Sequence, residues 1–196
     1  MAKVSNMMYI NPVISEIKIK SANNKRIYIS GVIDEDMAIE VSYFINKIIE
    51  IDSKTDNPKK EVVFIINSFG GSVLAGNSII ANILLLKSLG YKTISIIESC
   101  AFSMAYDLIV NTDERLCFKY SQFLLHQTLM GQDGELKEFE REVSFQKKAW
   151  DLAVDYYVEN TKLTRERVND IYDRKENFFF LADEALANGT IHKILG

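Results

Sequence analysis

Two patterns of hydrophobic and polar positions alternate along the first half of the chain. Short runs rich in β-branched residues predict buried strands at residues 26–33, 61–66 and 92–97. Apolar residues spaced three and four positions apart predict helices between them, over residues 37–49 and 72–89. Strands that alternate with helices favour parallel βα units, because a right-handed crossover returns each strand to the same sheet.

The second half of the chain predicts shorter strands and one long helix. The predicted elements are extended segments at 115–119, 122–126 and 177–181 and helices at 104–110, 135–160, 164–172 and 182–188, with a turn between Gly131 and Gly134 and a possible strand at 14–20 near the N-terminus. Apolar residues of the long helix, Trp150 and Tyr157 among them, form one stripe. This stripe leaves two interpretations open, a helix across its own core or a helix that packs on a partner.

Composition predicts a soluble α/β protein of one domain with a sizeable core. The chain has 196 residues, of which 47% are hydrophobic and 26% charged, and a net charge of −4. Its basic residues form no dense stripe, so nucleic acid is not an expected partner. No apolar run approaches the length of a membrane span, and residues 1–20 lack the regions of a signal peptide. Cys100 and Cys117 form no CxxC motif. We therefore expect a cytoplasmic protein without metal, cofactor or membrane contact.

Ser103 is placed where the predicted strand and the following helix meet. A serine at this position has two interpretations: an N-cap, which is the common one, or a nucleophile beside the free N–H groups of a helix N-terminus. Gly70 and Gly71 lie in a predicted turn, residues 67–71, at the end of another strand. Ligand sites of parallel α/β proteins gather at such strand ends. Paired glycines also let a backbone N–H approach a reacting carbonyl, whereas a phosphate loop would need a fuller motif.

Only two histidines are present, so an imidazole base must be His126 or His192. His126 ends an apolar run near the other strand ends, whereas His192 lies in the C-terminal segment and is expected at the surface. Cys100 is a rival nucleophile, but its place in the strand predicts burial as a small hydrophobic residue.

Three motifs in order resemble the signatures of the proteolytic subunit of the Clp protease, ClpP. They are INSFGGSV at residues 66–73, AFSM at 101–104 and LHQ at 125–127. Residues 26–37 resemble the first strand and helix of that family, and residues 179–189 resemble its closing strand and helix. The resemblance divides the chain into an N-terminal segment, 1–25, which matches the family's axial loop poorly, and a ClpP-like peptidase domain, 26–196.

The resemblance implies a role for individual residues. Ser103 matches the family's nucleophile and His126 its general base, while Gly71 and Met104 match the residues whose backbone N–H groups form the oxyanion hole. The resemblance also implies an α/β spiral of ββα units of the ClpP/crotonase type with a projecting long helix. It further implies heptameric rings that stack into a tetradecamer and an AAA+ Clp ATPase that feeds in unfolded polypeptides. In that assembly the stripe with Trp150 would serve the contact between rings.

The third catalytic residue is an aspartate in most members of the family, and two ways of counting place different residues of this chain at the matching position. Counting back from the closing strand places Asn177 there, whereas counting forward from His126 reaches Lys175, so about two residues are inserted. The nearest acids are Asp173 and Glu176, and Asp173 is the alternative. We choose Asn177 because strand register constrains position more tightly than a loop does. Its carbonyl oxygen can accept the Nδ1–H of His126 but cannot stabilise an imidazolium by charge.

Departures from the family's pattern motivate further hypotheses. Phe69 replaces a proline, Phe102 replaces the small residue before the serine, and Ala105 replaces a glycine. A bulky Phe102 beside the nucleophile, together with Asn177, would suit a catalytically weak or silent subunit of a mixed ring. A third hypothesis is an acyl-CoA enzyme of the related crotonase fold, which the combination of serine and histidine disfavours.

Overall fold

The structure is a computed structural model that describes residues 24–128 and 135–196, apart from the side chain of Leu136. The strands are β1 (Arg26–Ile33), β2 (Glu61–Gly71), β3 (Lys92–Phe102), β4 (Glu114–Phe118), β5 (Gln122–Leu125), β6 (Phe178–Leu181) and β7 (Lys193–Leu195). The helices are α1 (Glu35–Ser53), α2 (Val73–Ser88), α3 (Met104–Val110), α4 (Leu136–Asn160), α5 (Arg165–Asp173) and α6 (Ala182–Ala187). The predicted strand at 14–20 and the turn between Gly131 and Gly134 lie outside the described residues.

The strands form one sheet that divides at β3. The main path runs β1-β2-β3-β4-β7, and every pair along it is parallel. The first half of β3 pairs with β4, whereas its last residues, Cys100 to Phe102, pair with β5. Strand β6 then pairs with β5 in the antiparallel direction. The division brings the ends of β3 and β5 together, and the candidate site lies there.

Strands β2 and β3 are longer than the hydrophobic pattern predicts. β2 continues through Gly71 and β3 through Phe102, so the predicted turn at 67–71 is wrong. The parallel neighbours continue to pair beyond the apolar run, with register shifts after Gly31 and Ile66. Hydrogen bonds from neighbouring strands therefore extend these segments past the point where their own sequence would end them. The short β7 is also missing from the sequence prediction.

Helix starts agree with the capping residues in the sequence. Asp34, Ser72 and Thr164 each accept a hydrogen bond from a backbone N–H of the first turn of α1, α2 and α5. The core side of α1 is formed by residues spaced three and four apart, namely Ala38, Val41, Ile45 and Ile48. Helix α1 packs on β1, α2 packs on β3, and the two helices contact each other, whereas α5 packs on α4. Fully buried side chains of the central strands belong to the same core.

The long helix α4 divides into an exposed and a buried half. Phe139 and Phe145 in its first half are 46% and 63% exposed. Trp150, Val154 and Tyr157 in its second half are buried in the core of the chain itself. The expectation that Trp150 and Tyr157 meet a second ring is therefore wrong, because the protein's own strands and helices already cover both side chains.

The side chain of Arg115 in β4 links the C-terminal elements to the sheet by hydrogen bonds. Its buried guanidinium donates hydrogen bonds to the backbone carbonyl oxygens of Val110, Thr112, Asn160 and Gly189. These acceptors come from the ends of three helices, where carbonyl groups lack partners within the helix.

Within the described ranges, no helix has the length and apolar character that crossing a membrane requires.

Candidate active site

Ser103 lies at a strained turn between β3 and α3. Its backbone has φ 54° and ψ −126°, a combination that a residue with a side chain rarely adopts. Although Ser103 occupies the N-cap position, its side chain makes no capping hydrogen bond. Its backbone N–H donates to the carbonyl oxygen of Leu124 over 2.9 Å. The serine thus does not cap the helix, and no helix N–H competes for its hydroxyl.

The glycines of the second motif lie directly against this turn. A Cβ atom on Gly70 would stand 2.8 Å from Cβ of Ser103 and 3.0 Å from the backbone nitrogen of Met104. One on Gly71 would overlap the carbonyl oxygen of Ile33. Both positions therefore exclude any side chain, and they allow the end of β2 to approach Ser103 closely.

Ser68 holds this glycine segment in place, a role that the sequence analysis missed. Its fully buried hydroxyl donates to the carbonyl oxygen of Gly31 over 2.6 Å and accepts from the N–H of Gly70 over 3.0 Å. It thereby links the bulge in β1 to the glycines of β2. The signal available in the sequence was a serine two residues before the glycine pair.

One cavity of about 410 Å³ brings together the predicted nucleophile, base and oxyanion donors. Ser103, His126, Gly71 and Met104 all line it. Met104 is the first residue of α3, a position at which a backbone N–H has no partner within the helix. His126 follows β5 directly, and among the described residues no hydrogen bond joins its side chain to Ser103 or to any other group.

The imidazole of His126 is partly buried, and this burial lowers its pKa below the ordinary value for histidine. At neutral pH the ring is therefore neutral, the form that can accept a proton.

His192 is exposed, as expected. Cys100 is buried as predicted, and burial raises the pKa of its thiol, which makes it a poor nucleophile.

Asn177 lies beside His126 in the strand register, whereas Asp173 lies elsewhere. The antiparallel pairing of β5 and β6 ends at Leu125 and Phe178, so the next position along it would set His126 opposite Asn177. Asn177 is exposed, and no side-chain hydrogen bond joins it to His126 within the described ranges. Asp173 lines a separate surface depression on α5. The choice between them stays a prediction, but only Asn177 has a position near His126 in this register.

Asp107 and Tyr157 also line the cavity, and the sequence analysis assigned neither of them to the site. Asp107 follows Ser103 by one helical turn, and the hydroxyl of Tyr157 donates a hydrogen bond to its carboxylate. Burial raises the pKa of Asp107 to about 7. A single acid in an otherwise apolar helix was the only sequence signal for this pair.

Phe102 packs beside the cavity and is not among the residues that line it. Its ring makes edge-to-face contacts with Phe69 and Phe179, with centroids 5.6 and 5.7 Å away. These three rings form an aromatic wall next to Ser103.

Among the described residues, no group of three or more His, Cys, Asp or Glu side chains could hold a metal ion.

The fold and the site define an α/β protein in which a strained serine and a histidine line one cavity at the ends of parallel strands. A sequence profile of the Clp protease family matches residues 13–196. The chain therefore belongs to the Clp protease family, whose members are peptidases.

Similar proteins include two from Chlamydia trachomatis, serovars D and A, each described as ATP-dependent Clp protease proteolytic subunit 1. Each is 29% identical to this chain over 183 residues, which cover 90% of this chain and 88% of the relative. The family and the fold expected from the sequence are thus confirmed.

Proposed function

We propose that this protein is a serine endopeptidase of the Clp type, which hydrolyses peptide bonds of unfolded polypeptides. The observation that carries the proposal is the strained Ser103, whose hydroxyl makes no capping bond and shares one cavity with His126. Such a turn presents a hydroxyl at the end of a strand, as in other enzymes with a serine nucleophile.

The arrangement supports acyl transfer in two steps. In the first, Ser103 Oγ attacks the carbonyl carbon of the scissile bond while His126 accepts the hydroxyl proton, and the peptide C–N bond then breaks as His126 gives that proton to the leaving amine. In the second step, water deprotonated by His126 attacks the acyl carbon, the bond to Ser103 Oγ breaks, and His126 returns the proton to Ser103. Backbone N–H groups of Gly71 and Met104 would stabilise the oxyanion, and each such donor is worth about 2.7–4 kcal/mol in the transition state.

In this proposal Asn177 orients His126, with Asp173 as the alternative. The register of β5 and β6 supports Asn177. An amide accepts the Nδ1–H of the imidazole but supplies no negative charge, so acylation should be slower than with a carboxylate.

The proposed assembly consists of heptameric rings, alone or stacked as a tetradecamer, that work in the cytoplasm with an AAA+ Clp ATPase. Family membership supports this, because Clp proteases generally form rings and act with such ATPases. The exposed first half of α4, with Phe139 and Phe145, is an apolar surface that such an assembly could cover.

Fluorophosphonate labelling tests the nucleophile directly. We expect the parent protein to be labelled at Ser103 and Ser103→Ala to lose both labelling and peptidase activity. Ser99→Ala is the matched control, since Ser99 is an exposed serine on the same strand. If the parent protein is not labelled and cleaves no peptide, the silent subunit of a mixed ring becomes the better description.

A further inference from the structure

The cavity beside Ser103 contains an acidic side chain and, among its described lining residues, no lysine or arginine. Asp107 is partly exposed and receives a hydrogen bond from Tyr157. No cation of the described residues pairs with its carboxylate. Little of this carboxyl group is open to water, and it has one hydrogen bond and no counter-ion, so its ionised form is disfavoured. A cation bound in the cavity would stabilise that ionised form.

We propose that Asp107 selects substrates with lysine or arginine at the residue immediately before the scissile bond. This inference rests on the proposed function, in which Ser103 is the nucleophile of a peptidase. The residue before the scissile bond is the one whose carbonyl carbon becomes bonded to Ser103 Oγ. Its side chain therefore stays next to Ser103 through both steps, in the cavity that Asp107 lines.

The distance between Ser103 and Asp107 along α3 favours a long substrate side chain. Asp107 lies four residues after Ser103, about one turn of 5.4 Å pitch further along α3. A lysine has a four-carbon stem that spans such a distance, whereas a small side chain would leave the carboxyl group unreached. Met104, Leu125 and Ala153 provide apolar walls for the stem.

Electrostatics favours a cation over an apolar side chain of the same length. Burial raises the pKa of Asp107 to about 7, which shows that ionisation without a partner is unfavourable there. A bound ammonium or guanidinium group would supply that partner, whereas an alkyl side chain would only bury the carboxyl group more deeply. A glutamate side chain would add repulsion, so the cavity would reject it.

A pair of peptides that differ only in charge measures this preference. One carries lysine before the scissile bond and the other norleucine, which has a similar length and no charge. We expect kcat/KM of the parent protein to favour the lysine peptide by about tenfold or more. Asp107→Asn, which can still accept the hydrogen bond from Tyr157, should bring the ratio close to one. Asp151→Asn is the matched control on an exposed acid of α4 and should keep the parent's ratio.

Binding to Ser103→Ala gives a second readout that needs no catalysis. Amide-capped fluorescent peptides ending in lysine or norleucine would be compared by fluorescence anisotropy, with and without Asp107→Asn. The proposal is overturned if the parent protein shows no lysine preference, or if Asp107→Asn weakens both peptides equally, as a purely structural role would.

The two proposals fail in different ways. If Ser103 is labelled but no lysine preference is found, the proposed peptidase activity is retained and the proposed role of Asp107 is refuted. If lysine peptides bind selectively but Ser103 is not labelled and no peptide is cleaved, the proposed peptidase activity is refuted and the proposed selectivity of the cavity for a cation is retained.

Discussion

The backbone N–H of Ser103 donates a hydrogen bond to the carbonyl oxygen of Leu124 over 2.9 Å. This bond extends the parallel pairing of β3 with β5, in which Phe102 lies opposite Leu124. Because His126 follows Leu124 by two residues, the pairing that ends β3 also places the histidine in the cavity with the serine. The same bond occupies the N–H of Ser103, so the next N–H of the turn is that of Met104, the first residue of α3 and the oxyanion donor in our proposal.

Gly70→Ala should abolish labelling of Ser103 and lower peptidase activity by at least about 100-fold, as loss of an oxyanion donor does. The new methyl group would stand 2.8 Å from Cβ of Ser103 and 3.0 Å from the nitrogen of Met104. Gly90→Ala is the control, because Gly90 also has a positive φ, +80°, but open space at its Cβ position. Backbone strain should cost each variant about 1–2 kcal/mol of stability. Gly70→Ala should lose more than Gly90→Ala, because its methyl group also collides with the turn at Ser103. Equal activity in the two variants would contradict the close approach of β2 to Ser103.

Asn177→Asp should raise peptidase activity, because a carboxylate stabilises the imidazolium that an amide cannot. The reverse change in well-studied serine proteases costs about 10⁴-fold in kcat. We expect a smaller gain here, since an asparagine amide can rotate to offer its oxygen to the Nδ1–H of His126. Steady-state kinetics on one uncharged peptide would measure it. Asp173→Ala should change activity little, and the opposite pattern would transfer the role to Asp173.

The pH dependence of kcat/KM should reflect a histidine that stays neutral to unusually low pH. Burial lowers the pKa of His126 below its ordinary value of about 6.5, so its neutral, proton-accepting form predominates at pH 7. Activity should therefore be full at neutral pH and fall as the pH drops through the lowered pKa. Asp107 in the same cavity titrates near neutral pH, so the profile is best recorded on Asp107→Asn with the norleucine peptide. A midpoint above pH 7 would rule out this assignment.

Asp107→Asn should stabilise the folded protein above neutral pH. Burial raises the pKa of Asp107 to about 7 in the folded state, against about 3.9 for an unfolded aspartate. Between these values the folded state binds more protons than the unfolded state, so this carboxyl group lowers stability as the pH rises through that range. Urea unfolding should show the Asp107→Asn variant gaining up to about 4 kcal/mol over the parent at pH 8, since one pKa unit corresponds to about 1.4 kcal/mol, and almost nothing at pH 4. A gain of the same size at both pH values would point to packing instead of ionisation.

The local pattern of residues by itself determined most elements and the identity of the family. Helix starts at Asp34, Ser72 and Thr164 depend on a side chain and a backbone N–H three residues away, so the sequence contains all the information needed. The motifs around Ser103 and His126 likewise identified the two residues that the fold brings into one cavity. These features depend on neighbours along the chain or on the order of short motifs.

Tertiary structure alone decided how far the strands extend and which side chains meet. β2 continues through Gly71 because β1 keeps pairing with it, and no local pattern contains that information. Asp107 and Tyr157 are 50 residues apart in sequence, yet they form one hydrogen-bonded pair beside Ser103. Trp150 belongs to the chain's own core because other elements cover it. A hydrophobic stripe indicates that a face is to be buried, but the surface that buries it is determined only when the whole chain packs.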